Sequence, residues 1–224
     1  MSKLTENTFQ IILQATKGET ELIDKFIAET KSDFFKFEKR DEHSIIMTSK
    51  FECLDYFKQS EEFHYLLDAM NGIGLKAHNA KNQYLSVNFV ITSYHERTKH
   101  KVDYFISKTK DFCRKIARKD KTFTFNFNEV PHINLCKNTI RHYPIEWNNN
   151  GTVSFLFFRS TLKHSTIIAT LEFVKSLFDF FETSNVLFDE LYENFSNVEK
   201  KYQEYVAENY TALLEYEKHR NIIK

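Results

Sequence analysis

The chain has 224 residues and a formal net charge of zero, from 31 basic and 31 acidic side chains. Hydrophobic residues make up 42% and charged residues 28%, which excludes a disordered chain and is enough for one sizeable core. Four glycines and two prolines exclude a Gly/Ser or Pro-rich linker and any Gly-rich loop that cradles a nucleotide.

Taken in chain order, TFQIILQAT at 8–16 suits a strand or a helix, and 19–29 reads as helix. DFFKFEK and HSIIMTS flank the polar turn Arg40-Asp41-Glu42, the pattern of a hairpin. Residues 51–70 read as one or two short helices that stop near Asn71-Gly72. Leu85, Val87, Phe89 and Ile91 then alternate with Ser86 and Asn88, a strand signature. Residues 96–119 read as one amphipathic helix, with Val102, Phe105, Ile106, Phe112 and Ile116 near helical spacing. Phe123, Phe125 and Phe127 alternate with Thr124 and Asn126, which predicts a second strand with its rings in the core. Asn148-Asn149-Asn150-Gly151 is a turn, and TVSFLFF after it is a strand.

The C-terminal part reads as two helices. Residues 161–181 carry an apolar stripe at Ile168, Leu171, Val174, Phe178 and Phe181. In 187–222 a seam through Leu187, Leu191, Phe195, Val198, Tyr202, Tyr205, Asn209, Ala212 and Tyr216 alternates spacings of three and four, as in a coiled coil. One unbroken helix there would be on the order of 50 Å long. Its seam would need the preceding helix, a protein partner or a second copy to cover it, so Leu191, Phe195, Val198, Tyr202 and Tyr205 are the candidate partner-binding residues. The expected fold is α+β: a mixed β-sheet with helices on one face and a long C-terminal helical hairpin. The expected division is an α+β core domain over 1–159 and a helical hairpin or coiled-coil arm over 160–224.

Charge is segregated although it sums to zero. Between Arg97 and Lys121 ten basic residues face three acids, whereas between Glu172 and Glu217 eleven acids face three lysines. Clustered Lys and Arg are what phosphate neutralisation requires. Lys108, Arg114, Lys115, Arg118 and Lys119 are therefore candidate nucleic-acid contacts, with an acidic protein surface as the other possible partner.

The stretch LFFRSTLKHST, at 156–166, carries the candidate chemistry. With Ser160 as helix cap, the following amides would be free at a helix N-terminus, a place that attracts anions, with Arg159, Lys163 and His164 around it. The positive end of the helix dipole would also hold His164 neutral, able to act as a base. The Arg159-x4-His164 spacing resembles the R-x4-6-H motif of the HEPN ribonuclease superfamily. That resemblance implies metal-independent cleavage of RNA by Arg159 and His164 across a dimer of helical bundles. It covers these six residues and departs from the pattern at Ser160, where the family favours Asn, Asp or His, and in the strands that precede it. PHINL and KHSTI resemble the paired H-x-T/S motifs of 2H phosphoesterases, with Asn134 in place of the first Thr or Ser.

Cys53, Cys113 and Cys136 are odd in number and never form C-x-x-C, which fits a reducing compartment. Cys113, His132, Cys136 and His142 lack the short paired spacing of a structural zinc site, so no metal and no cofactor is expected. No signal peptide or membrane span is visible, and a cytoplasmic protein with no membrane contact is expected. The excess of Phe, Lys, Asn and Ile fits an AT-rich genome, such as that of a low-GC bacterium or its phages and plasmids, where small defence and counter-defence factors look like this. The functional expectation is a non-enzymatic binding or accessory protein, with the Arg159/His164 ribonuclease as the alternative.

Overall fold

The computed structural model describes residues 7–16, 18–77, 84–118 and 145–222. Seven strands form one sheet: β1 (Thr8–Thr16), β2 (Phe35–Asp41), β3 (Ser44–Ser49), β4 (Glu52–Cys53), β5 (Tyr84–Val90), β6 (Ile145–Asn148) and β7 (Thr152–Arg159). Their order is β2-β3-β1-β5-β7-β6, with β4 pairing Thr8 and Phe9 of β1, and every described ladder is antiparallel. TFQIILQAT, ambiguous in isolation, is a central strand because Phe9, Ile11, Leu13 and Ala15 all face one buried side. Ile45 and Met47, Leu85, Val87 and Phe89, and Val153 and Phe155 extend that apolar face across the neighbouring strands. The opposite face mixes Ile12 and Ile46 with polar side chains that bond to one another: Asn88 donates to Gln10 at 2.9 Å, and Asn148 donates to Ser154 at 2.9 Å.

Nine helices are described: α1 (Thr20–Glu29), α2 (Leu54–Gln59), α3 (Glu61–Gly72), α4 (Glu96–Lys108), α5 (Lys110–Ile116), α6 (His164–Thr183), α7 (Phe188–Glu193), α8 (Phe195–Asn209) and α9 (Thr211–His219). α6 is the middle layer. Fourteen of its twenty residues are buried, the pattern of a helix covered on all sides. Phe178 meets Phe89 of the sheet at 5.4 Å between ring centroids. On its outer side Phe181 meets Phe105 of α4 at 5.5 Å and Phe180 meets Tyr202 of α8 at 5.5 Å. One core cluster thus runs from Phe9 to Leu213 and includes both the sheet and the C-terminal helices.

Two elements differ from the sequence expectation. The helix expected over 96–119 breaks at Thr109, whose hydroxyl donates to the Phe105 carbonyl at 2.8 Å and competes with the helical ladder. The single long helix expected over 187–222 is three helices, broken at Asn194 and at Tyr210, where φ is −132°. The Tyr210 hydroxyl donates to Asp179 of α6 at 2.5 Å, and the Asn209 side chain donates to the Tyr205 carbonyl at 2.8 Å, so the chain turns around α6 instead of leaving it. Leu191, Val198 and Tyr202 of the seam consequently pack inside the chain, whereas Leu187 and Asn209 stay exposed. The strand expected at 123–127 lies outside the described residues.

The β6–β7 turn requires glycine. Gly151 has φ +78°, and a Cβ there would sit 2.4 Å from Cγ2 of Thr92. Gly151→Ala is expected to lower stability by about 2 kcal/mol. Denaturant midpoints that coincide for the two proteins would show that this turn is not under such constraint.

Candidate functional site

The stretch LFFRSTLKHST is the end of β7, a four-residue connection, and the start of α6. Ser160 does not cap the helix. It is fully buried and donates its hydroxyl to the Gln14 carbonyl of β1 at 2.6 Å, which ties the end of β7 to the sheet centre. α6 begins three residues later than a Ser160 cap would place it, with Lys163 in the cap position and no side-chain cap bond. The Thr161 hydroxyl accepts from the Lys163 amide at 3.1 Å, and no acid lies in the first turn. The first turn of this twenty-residue helix therefore brings no acid of its own to the positive end of its dipole.

Arg159 and His164 turn to different neighbours. His164 faces α2 and α3: its ring lies 3.5 Å from the His64 ring between centroids, and its Nε2 is 2.7 Å from the Phe57 carbonyl. A carbonyl only accepts, so Nε2 carries the proton. Burial pushes the imidazole below its ordinary range, and a charge on His64 would push the same way, so His164 stays neutral. Arg159 instead lies beside Arg118, close enough to disfavour its charge, and its amide donates to the Ala117 carbonyl at 3.0 Å. The chain around them carries a seven-stranded sheet, unlike an all-helical bundle.

The arrangement that does form is a cleft of about 530 Å³ beside the start of α6. One wall is the first turn of α6 with the residues before it, through Thr161, Lys163, Ser165 and Thr166. The other is a single face of α9, where Ala212, Glu215, Tyr216 and His219 recur at helical spacing, with Arg220 just beyond. Arg118 completes the lining from the end of α5. It sits in the left-handed region at φ 59°, the helix-terminating position that ordinarily falls to Gly or Asn. Its Nη1 donates to the Ser160 carbonyl at 3.3 Å, while Nη2 is shielded from solvent and has no acceptor. Burial lowers the Arg118 guanidinium to about 10, Tyr216 opposes that shift, and Arg159 and Arg220 add to it. It remains charged at neutral pH.

Among the described residues the cleft thus gathers three permanent cations, Arg118, Lys163 and Arg220, against one carboxylate, Glu215. A second cleft of about 560 Å³, between α1 and β2, gathers Lys31 and Lys36 with Asp33 and Glu62, and its charges cancel. Among the described residues no group of three His, Cys, Asp or Glu side chains could hold a metal ion, and no helix is long and apolar enough to cross a membrane.

The remaining candidates are scattered. Lys108 lies over the Tyr104 ring at 5.3 Å, Arg114 pairs with Asp111 at 3.0 Å, Lys115 is exposed, and Lys119 is outside the described residues. Of the seam, Leu191, Val198 and Tyr202 have no exposed surface. Phe195 packs on Phe105 at 5.5 Å and Tyr205 on Phe180 at 5.6 Å, so α4 and α6 of the same chain supply the cover expected from a partner. Sequence reasoning missed His219 and Arg220 altogether. Arg118 was already marked by the basic run between Arg97 and Lys121.

No protein-family model matches the chain, and a search of the curated proteins returns no match.

Proposed function

We propose that the chain is a nucleic-acid-binding protein that contacts its ligand through the basic surface of α4 and α5 and the cleft at their end. The observation that carries this reading is the convergence of Arg118, Lys163 and Arg220 around an open cleft in which, among the described residues, Glu215 is the one acid. Supporting it, the ion pairs seen for Lys99 and Arg114 are local, to Glu96 and Asp111 within their own helices. Arg97, Lys108 and Lys115 remain exposed beside them. The acidic C-terminal helices make their own local pairs, Lys201 with Glu190 and Lys200 with Glu204. The two charge blocks therefore keep their signs, and the basic block is left for a polyanion.

The test is titration of a labelled single-stranded and a duplex oligonucleotide over a range of salt. Binding should weaken steeply as salt rises, and Lys108→Glu with Lys115→Glu should reduce affinity about tenfold while leaving the fold intact. Affinity unchanged by the double reversal, or no binding at low salt, would remove nucleic acid as the ligand.

A further inference from the structure

We propose that the cleft between the start of α6 and α9 is a receptor for a terminal phosphomonoester, carried by a free nucleotide or by the end of a nucleic-acid strand. The inference deepens the nucleic-acid reading and rests on it only for the second of those two sources.

Charge balance selects the group. Among the described residues the lining holds three permanent positive charges and one carboxylate, a surplus of two. An internal phosphodiester carries one negative charge and leaves the surplus half unmet. A phosphomonoester carries about −1.5 to −2 near neutral pH and presents three acceptor oxygens. Burying like charges together without a counter-ion is unfavourable, and Arg118 shows it: Arg159 and Arg220 both oppose its charge. An anion in the cleft would reverse the sign of that environment.

Geometry agrees. A surface that tracks a strand is an extended groove, whereas here the cations come to one place from three elements, α5, α6 and α9. Donors of the right kind line it. Among the described residues Thr161, Ser165 and Thr166 line the wall, the Ser165 amide at the start of α6 has no acceptor, and the lining residue Arg118 keeps one guanidinium nitrogen, Nη2, without an acceptor. A guanidinium with one arm fixed on the Ser160 carbonyl has its remaining fork oriented before any ligand arrives. The volume, about 530 Å³, admits a phosphate with its nucleoside. Tyr216 and His219 on the α9 wall offer rings beside it.

The backbone supplies an unusually clean variant. Arg118 occupies a left-handed position, so Arg118→Gly removes the guanidinium and relieves the backbone at once. The variant should fold at least as well as the parent and lose the site. The experiment compares one single-stranded oligonucleotide bearing a 5′-phosphate with the same strand bearing a 5′-hydroxyl, and adenosine 5′-monophosphate with adenosine, by fluorescence anisotropy and calorimetry. The phosphorylated member of each pair should bind on the order of tenfold or more tightly, since it alone offers charged acceptors to the cleft's cations. Arg118→Gly should abolish the difference, and thermal melting should show the variant folded. Lys163→Ala and Arg220→Ala, both at exposed positions, should each reduce it and serve if Arg118→Gly does not fold.

The two readings fail separately. Oligonucleotide binding with a steep salt dependence but no phosphate preference overturns the receptor and leaves the basic surface. Binding of the monophosphate with no oligonucleotide affinity upholds the receptor, assigns it to a free nucleotide, and sinks the nucleic-acid reading. Phosphate preference that survives in folded Arg118→Gly overturns the site as placed here.

Discussion

Glu172→Ala is expected to destabilise the protein by about 3–5 kcal/mol, a large fraction of the stability of a domain this size. Glu172 lies on the buried middle helix with 1% of its side chain exposed. One carboxylate oxygen is 2.7 Å from Lys58 Nζ of α2, and the other accepts from the Leu213 amide of α9 at 2.7 Å. Leu213 is the third residue of α9, a helix with no acid in its first turn and no side-chain cap at Tyr210. The carboxylate therefore caps α9 from another element, where the helix dipole favours negative charge. Its removal orphans a buried amide and leaves a cavity, whereas Lys58, 36% exposed on its side chain, recovers part of its loss in water. Glu172→Gln, which keeps an acceptor for the amide, should cost about half as much. Urea denaturation decides the matter, and a loss below about 1 kcal/mol for the alanine variant would mean that α9 is held by its apolar contacts alone. Because α9 is one wall of the basic cleft, the alanine variant should also weaken anion binding before it unfolds.

The contrast between what could and could not be read from the chain follows range of interaction. β5 and β7 were legible because burial on one face imposes a period of two, as in Leu85, Val87 and Phe89, whereas β1 stayed open between strand and helix until its neighbours β3 and β5 were in place. The β2–β3 hairpin was legible from its polar turn. β4, of two residues, and β6, of four, are too short to show a period, and they owe their existence to pairing with β1 and β7. The breaks at Thr109, Asn194 and Tyr210 were hidden because the apolar spacing continues through them. What bends the chain at Tyr210 includes a hydroxyl bonded to Asp179, a contact that no local pattern encodes. The same holds for the cleft. The basic character of the α6 start was visible in Arg159, Lys163 and the helix that follows. Ser160 was misread as a cap because its bond to the Gln14 carbonyl depends on where the sheet lies, and Arg220 arrives from the far end of the sequence.

Glu217→Gln is expected to stabilise the protein above pH 7 by about 2–3 kcal/mol and to leave it nearly unchanged at pH 4. Glu217 lies on the inner face of α9, fully buried, and both carboxylate oxygens lack a hydrogen-bond partner. Burial raises its carboxyl from 4.5 to about 7, with no cation to oppose the shift. The ionisable group it acts upon is the Tyr202 hydroxyl of α8, which is bonded to Ser176 and which a charge on Glu217 pushes further up. On α6 the neighbouring acid, Glu172, is already engaged by Lys58 and Leu213. The native state thus holds a proton on Glu217 that the unfolded chain releases above its ordinary value. The contribution is fully favourable below pH 4.5, declines as the pH rises, and is spent above about 7. Other groups slope the opposite way: Asp41, Glu96 and Glu190 are held below the carboxylate range, and His164 below the imidazole range. The decisive quantity is therefore the difference in unfolding free energy between parent and variant, measured at pH 4 and pH 8. A difference that is the same at both values would show that water or a donor reaches this carboxylate. A difference that opens between them makes α9, and with it the wall of the basic cleft, looser at alkaline pH than at acid pH.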